Sequence, residues 1–195
     1  VRPCGQHPVA APVLPLMDVR LFAAVWPDQA AREALAAQLD DIREDATGVH
    51  WQPPHRWHIT LAFLGPGDPD VAAARISAAG RRHPIPVTGP LQLSGSGTFG
   101  PIVWVGVEHG PWLAELADQL QRAMRTPDRR FRAHVTVGRV RGPAALPNAR
   151  AAAALMGGHS GPTWIPSEMT LVASTTGPKP EYRIVDRWSL PTSSA

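Results

Sequence analysis

Apolar and polar positions recur along this chain with two periods, and the switches between them mark its elements. "VRLFAAVW", residues 19–26, is a short and nearly unbroken apolar run stopped by Pro27, the pattern of a buried strand. Residues 28–45 change to helical spacing, with Ala31, Leu35, Leu39 and Ile42 on one stripe and Asp28 placed to cap the helix start. "VHWQP", 49–53, predicts a short edge strand, and "HITLAFL", 58–64, a strand closed by Gly65 and Pro66. Residues 68–82 open on a capping residue and a proline and predict a helix. Stretches 85–99 and 101–108 alternate and are split by glycines, which predicts two paired strands. Residues 111–125 put Leu113, Leu116, Leu120 and Met124 on one side of an amphipathic helix. A strand at 131–141, a weaker helix at 144–156 and a last strand pair at 167–175 and 182–190, across a "TGPKPE" turn, complete the pattern.

The order of these elements carries a second message. Strand, helix, strand, helix and strand pair are followed by helix, strand, helix and strand pair. Each half holds one strand with a His-x-Thr, His58 and Thr60 in the first, His134 and Thr136 in the second. This points to an internal duplication, with two α+β lobes facing each other about a pseudo-twofold axis.

A His-x-Thr strand has a defined chemistry. Strand side chains alternate faces, so His58 and Thr60 point one way while Trp57, Ile59, Leu61 and Phe63 point to a core. His134 and Thr136 likewise share a face, away from Val135 and Val137. Eight histidines and eleven threonines would produce roughly half of one such tripeptide by chance. Two copies in matching strands argue for a site. Two imidazoles across one groove can divide a phosphoester displacement, one neutral and taking a proton, the other protonated and giving one. Two hydroxyls can bond the non-bridging oxygens. Zinc is a poor alternative, since no acid or cysteine stands at ligand spacing beside either histidine, and no metal is expected.

Composition adds less. The basic side chains are arginines save for Lys179, but a net charge of +3 is only a mild bias toward anionic partners. The one cysteine, Cys4, excludes an internal disulfide and a cysteine zinc site, and the cytoplasm is the expected compartment. No apolar run approaches the roughly 18 residues of a membrane span. Residues 1–16 lack the apolar core of a signal peptide and predict a poorly ordered extension. Residues 17–190 then form a single bilobal domain, with 191–195 as a C-terminal tail.

"RLFAAVWP", "VHWQPPHRWHITLAFLG", "FRAHVTVGRV" and "LVASTTGPKPEYRIVDRWSL" resemble the 2H phosphoesterases. More narrowly, they resemble the LigT-type RNA 2′,3′-cyclic phosphodiesterases, also called 2′-5′ RNA ligases. The resemblance runs over residues 17–190. It implies an α+β bilobal fold, two pseudo-symmetric lobes each with an antiparallel sheet and flanking helices, and a water-filled active cleft between them. It implies metal-independent opening of a 2′,3′-cyclic phosphate on RNA or a nucleotide to a 2′-phosphomonoester; no cofactor is expected, and the chain is expected to work as a monomer. His58 would then donate the proton to the leaving O3′, His134 would activate water, and Thr60 and Thr136 would steady the phosphate. His50, Ala62 and Ala133 stand where the family usually has Arg, Lys and Pro, which bears on substrate contacts.

Phe99, Arg130 and Arg139 are further candidates for substrate binding. Arg139 matches the arginine that ends the family's second motif, although strand parity turns it away from His134, toward a structural or rim role. Phe99 follows the Gly-rich "SGSGT" at a position resembling one that packs near a base, with core burial as the plainer reading. Arg129 and Arg130 precede the second motif and could draw RNA phosphates to the cleft mouth, or be solvated loop charges. The "GSG" run is no phosphate loop, since no Lys-Ser/Thr comes after it and no helix opens there. Two rival functions keep the same groove: a module that holds cyclic or 2′-phosphate RNA ends without turnover, and 2′-5′ ligation, which is the reverse chemistry.

Overall fold

A computed structural model describes residues 19–127, 130–175 and 181–192, which form nine strands and four helices. In chain order these are β1 (Val19–Val25), α1 (Gln29–Ile42), β2 (Val49–Trp51), β3 (Ile59–Pro66), α2 (Pro69–Arg82), β4 (Leu91–Phe99), β5 (Ile102–His109), α3 (Pro111–Met124), β6 (His134–Val140), α4 (Ala145–Leu155), β7 (Ser160–Trp164), β8 (Glu168–Thr175) and β9 (Tyr182–Ser189). The helix starts agree with the sequence: Asp28 accepts from the Ala31 amide at 2.8 Å, and Asp68 accepts from Asp70 at 2.8 Å with Pro69 in the first turn.

All strand pairs in the sheet are antiparallel, in the order β7-β4-β5-β6-β3-β1-β8-β9, with β2 added beside β6. At its middle, β3 and β6 share the single rung Ile59–Val135. The sheet is therefore two four-stranded ladders, β3-β1-β8-β9 and β6-β5-β4-β7, hinged at the two histidine strands. Read outward from that hinge, the ladders have the same length and pairing sense, which is the expected pseudo-symmetry.

The lobes are not consecutive halves of the chain. α2 and α3 pack on the first ladder, against β9 and β3, while α1 leaves β1 and crosses to lie against β7 and β4 of the second. β8 and β9, last in the chain, complete the first ladder. Each lobe thus takes elements from both ends of the chain. The helices cover one face of each ladder with a continuous core that includes Leu35, Leu39, Trp57, Leu113, Leu116 and Met156. Burial of this face and crossing of the chain between lobes fix the ladders relative to each other.

Two boundaries differ from the sequence pattern. The strand expected from residue 85 begins at Leu91, because Pro86 and Pro90 donate nothing to a ladder. Residues 85–90 are instead held by Thr88, whose amide donates to the Pro191 carbonyl at 2.8 Å. β7 escapes the pattern because it contains Gly161 and Pro162, yet it sits at the sheet edge, where a proline is tolerated. Among the described residues no helix is long and apolar enough to cross a membrane. The expected extension at 1–16, Arg129 and most of the 176–181 turn lie outside the described residues.

Candidate active site

The rung between Ile59 and Val135 decides the site. Both side chains are fully buried on the helix-covered face. Alternation then turns His58, Thr60, His134 and Thr136 to the opposite, helix-free face. Carried one residue to either side, the antiparallel register sets His58 across from Thr136 and Thr60 across from His134. Side chains directly opposite in a ladder share a face, and the outer partners agree: Thr60 lies across from Ala24, Thr136 from Trp104 and His134 from Gly106.

Each imidazole is held in the same way. Nδ1 of His58 lies 2.7 Å from the Arg56 carbonyl, and Nδ1 of His134 lies 2.7 Å from the Arg132 carbonyl. A carbonyl only accepts, so in both rings Nδ1 carries the hydrogen and Nε2 is left for proton transfer. The Arg56 carbonyl is presented by a short 3-10 turn, Pro54–Arg56, and Trp57 pins that turn by donating from its indole to the Gln52 carbonyl at 2.9 Å.

Aromatic side chains box both rings. Phe22 stacks on His58 at 4.7 Å, with Trp26 at 5.3 Å and the Tyr182 ring edge-on at 5.5 Å. Phe99 meets His134 edge-on at 4.9 Å, and Trp104 lies at 6.3 Å. Trp26 is itself fixed, donating to the Thr170 hydroxyl at 2.8 Å. This setting shapes the titration. Burial pushes His58 down to about 4, partly opposed by its bond to Arg56 and reinforced by His134. His134 is also lowered, first by burial and then by the Arg132 charge, against the opposing backbone bond. Burial raises the Tyr182 phenol, with Arg56 acting the other way, so it stays neutral.

The arginines two residues before the histidines do not stand out in the sequence pattern, although the repeat is truly Arg-x-His-x-Thr in both copies. The Arg56 guanidinium lies 5.6 Å from the centre of the Tyr182 ring, and Arg132 lies 5.2 Å from Phe99 and 5.8 Å from Trp104. Parity alone, counted two residues back from each histidine, was the available signal. Arg130 is exposed, and the guanidinium stacked beside His134 belongs to Arg132. Phe99 is half-buried on the face of His134 rather than lost in the core.

Arg139 requires a correction. Leu61 is skipped in the β1–β3 register, where Ala23 pairs with Ala62 and Ala24 with Thr60. Val137 is skipped in the β5–β6 register, where Val103 pairs with Gly138 and Trp104 with Thr136. Three residues after each histidine there is thus a bulge residue that points to the core and reverses the parity of the positions beyond it. Arg139 pairs with Ile102, on the same face of β5 as Trp104 and Gly106, so it shares the face of His134. Phe63, in the equivalent place, is 67% exposed and meets Phe22 at 6.5 Å instead of entering the core. His50 lies across from Arg139.

The glycine run has structural work. Gly95 sits at a bulge of β4 with φ +61 and donates to the His159 carbonyl at 2.9 Å. A Cβ at Gly97 would stand 2.4 Å from the Trp104 ring, so this glycine makes room for the aromatic wall of His134. Among the described residues no three His, Cys, Asp or Glu side chains gather.

Comparison with known proteins agrees with this geometry. A family model described as the 2'-5' RNA ligase superfamily matches residues 27–177. The RNA 2',3'-cyclic phosphodiesterase of Archaeoglobus fulgidus is 32% identical over 134 residues, 63% of this chain and 73% of that protein. The protein of the same name from Thermus thermophilus is 28% identical over 188 residues, 88% of this chain and 90% of that one. Among solved structures, TT0787 of Thermus thermophilus superposes with a TM-score of 0.69 at 26% identity, covering 90% of this chain and 100% of the other. E. coli LigT complexed with ATP gives 0.68 at 23% identity, covering 89% and 99%. Both histidine strands fall inside the matched span, and the chain belongs to the 2'-5' RNA ligase superfamily, among the LigT-type 2H phosphoesterases.

Proposed function

We propose that this chain hydrolyses 2′,3′-cyclic phosphate ends of RNA to 2′-phosphomonoesters without a metal. The observation that carries the reading is the pair of equivalent imidazoles on one face, each with Nδ1–H tied to a backbone carbonyl and Nε2 left for the reaction. The name shared by the curated relatives supports the substrate class.

Neutral His134 takes a proton from water at Nε2 as the water oxygen bonds to phosphorus. The P–O3′ bond breaks, and O3′ receives the proton carried on Nε2 of His58. The products are a 2′-phosphate and a free 3′-hydroxyl, with the two histidines left in exchanged protonation states that solvent resets. The Thr60 and Thr136 hydroxyls donate to the non-bridging oxygens as charge grows there. Arg139, on the same face, and Arg132 supply positive charge near the phosphate.

Burial disfavours the charged form of His58 in the free protein, so the acid has to be made on binding. The cyclic phosphate supplies this, since its negative charge favours imidazolium at both sites.

The test is incubation with a short RNA ending in a 2′,3′-cyclic phosphate, in EDTA, with phosphorus NMR of the product. A 2′-phosphate is expected. A 3′-phosphate would reassign the leaving oxygen, and tight binding without product would point to the RNA-end binding module instead.

A further inference from the structure

Beside His134 the cleft deepens into a pocket of about 310 Å³ whose walls include Phe99, Trp104, Gly106, Glu108, Arg132 and His134. A water's share of liquid volume is roughly 30 Å³, and small-ligand sites begin near roughly 300 Å³. The space is therefore too large for the hydrolytic water alone and suits a nucleoside. The family resemblance already places a base near Phe99, and we propose that Glu108, in the same lining, makes guanine the preferred base. The proposal rests on the cyclic-phosphodiesterase reading of the same site.

Two features define the occupant. The first is a flat aromatic wall. Phe99 and Trp104 lie 5.2 Å apart with their planes 34° from parallel, and the planar Arg132 guanidinium already rests against both. A base takes the same kind of face, and in doing so it moves the guanidinium toward the phosphate, where its charge is useful. The second is the single acidic side chain in the lining. Glu108 stands on the same face of β5 as Trp104 and Gly106, and it makes no ion pair among the described residues. An ionised carboxylate only accepts, and its two oxygens match two parallel N–H donors. Guanine alone among the RNA bases presents such a pair, N1–H beside N2–H. Uracil offers one ring N–H flanked by carbonyls, which a carboxylate repels.

Gly106 separates the aromatic wall from the carboxylate. A Cβ there would stand 2.6 Å from the Ser94 carbonyl oxygen, so the position admits no side chain and the pocket floor stays open between Trp104 and Glu108.

The test compares the 2′,3′-cyclic phosphates of guanosine, adenosine, cytidine and uridine as substrates of the wild-type chain and of Glu108→Gln. Binding of the four nucleoside 2′-phosphates is monitored in parallel by tryptophan fluorescence. Guanosine is expected to lead uridine by at least about fivefold in kcat/KM and in affinity, the low end for a bidentate base contact. In Glu108→Gln that ratio is expected to fall to near one. Equal handling of the four bases by the wild-type chain overturns the proposal, as does a preference that survives in Glu108→Gln. If none of the four is hydrolysed, the RNA incubation decides the activity reading and the affinities still decide the subsite.

Discussion

Ile59 faces Val135 across the one rung that joins the two ladders, and both side chains are fully buried beneath it. His58, Thr60, His134 and Thr136 flank that rung on its two strands. Ile59→Ala is therefore expected to do more than open a cavity. It should cost about 2–5 kcal/mol of stability, and it should also lower kcat at temperatures well below the melt, because the two imidazoles lose their shared reference. Thermal melts paired with initial rates check this. A large fall in Tm with unchanged kcat would show that the rung is structural only.

Removing either ring should leave the fold intact. His58→Gln and His134→Gln are each expected to lower kcat by about 10²–10⁴, the range for a general acid or base, with native circular dichroism. Thr60→Val and Thr136→Val keep the shape and lose the hydroxyl. They are expected to lower kcat while leaving affinity for a 2′-phosphate within a few-fold, if the hydroxyls serve mainly the transition state.

The pH dependence comes from burial. Both imidazoles are lowered in the free protein, His58 to about 4. The kcat/KM profile reports the free enzyme and kcat the bound state. Since bound phosphate favours both imidazolium forms, the kcat/KM bell should lie on the acid side of the kcat bell. Coincident bells would mean that the phosphate does not meet these rings. Stability shifts in a definite direction as well. The unfolded chain binds protons more readily at these histidines than the folded one, so stability falls as pH drops below the ordinary 6.5 and the loss at His58 is complete only below about 4. The His58 part of the effect is up to roughly 3 kcal/mol, and His58→Gln should flatten the acid end of the ligand-free stability curve.

Much of this was legible in the sequence, because periodicity reports faces. Asp28, Asp68 and the leucine stripe of α3 mark the helices, and the repeated His-x-Thr marks the two strands that meet at the centre of the sheet. The lobe composition was not legible, since nothing local tells α1 to cross to β4 and β7. β7 was hidden by Gly161 and Pro162, which are tolerated only because it is an edge strand. Tyr182 and Trp26 lie far from the histidines in sequence, and only strand pairing brings them to His58. The bulges at Leu61 and Val137 were the hardest to see. An apolar residue that is skipped in a ladder looks like any other core residue, and parity counted through it gives the wrong face for everything beyond.

That reversal makes Arg139 and Phe63 a matched pair for test. Both stand five residues after a histidine, and both are returned to the face of the two histidines by the bulge between. If Arg139 meets the substrate's phosphate, Arg139→Gln should raise KM by at least about tenfold, the low end for a charge-assisted contact. It should also weaken the fall of affinity with added salt, since one fewer phosphate contact releases fewer counterions. Stability should change little, because the side chain is exposed. Phe63→Ala should likewise spare stability, which a core phenylalanine would not, as its loss costs about 3–5 kcal/mol. A large drop in Tm for Phe63→Ala, or an unchanged KM and salt slope for Arg139→Gln, would put these side chains back where unbroken alternation would have placed them.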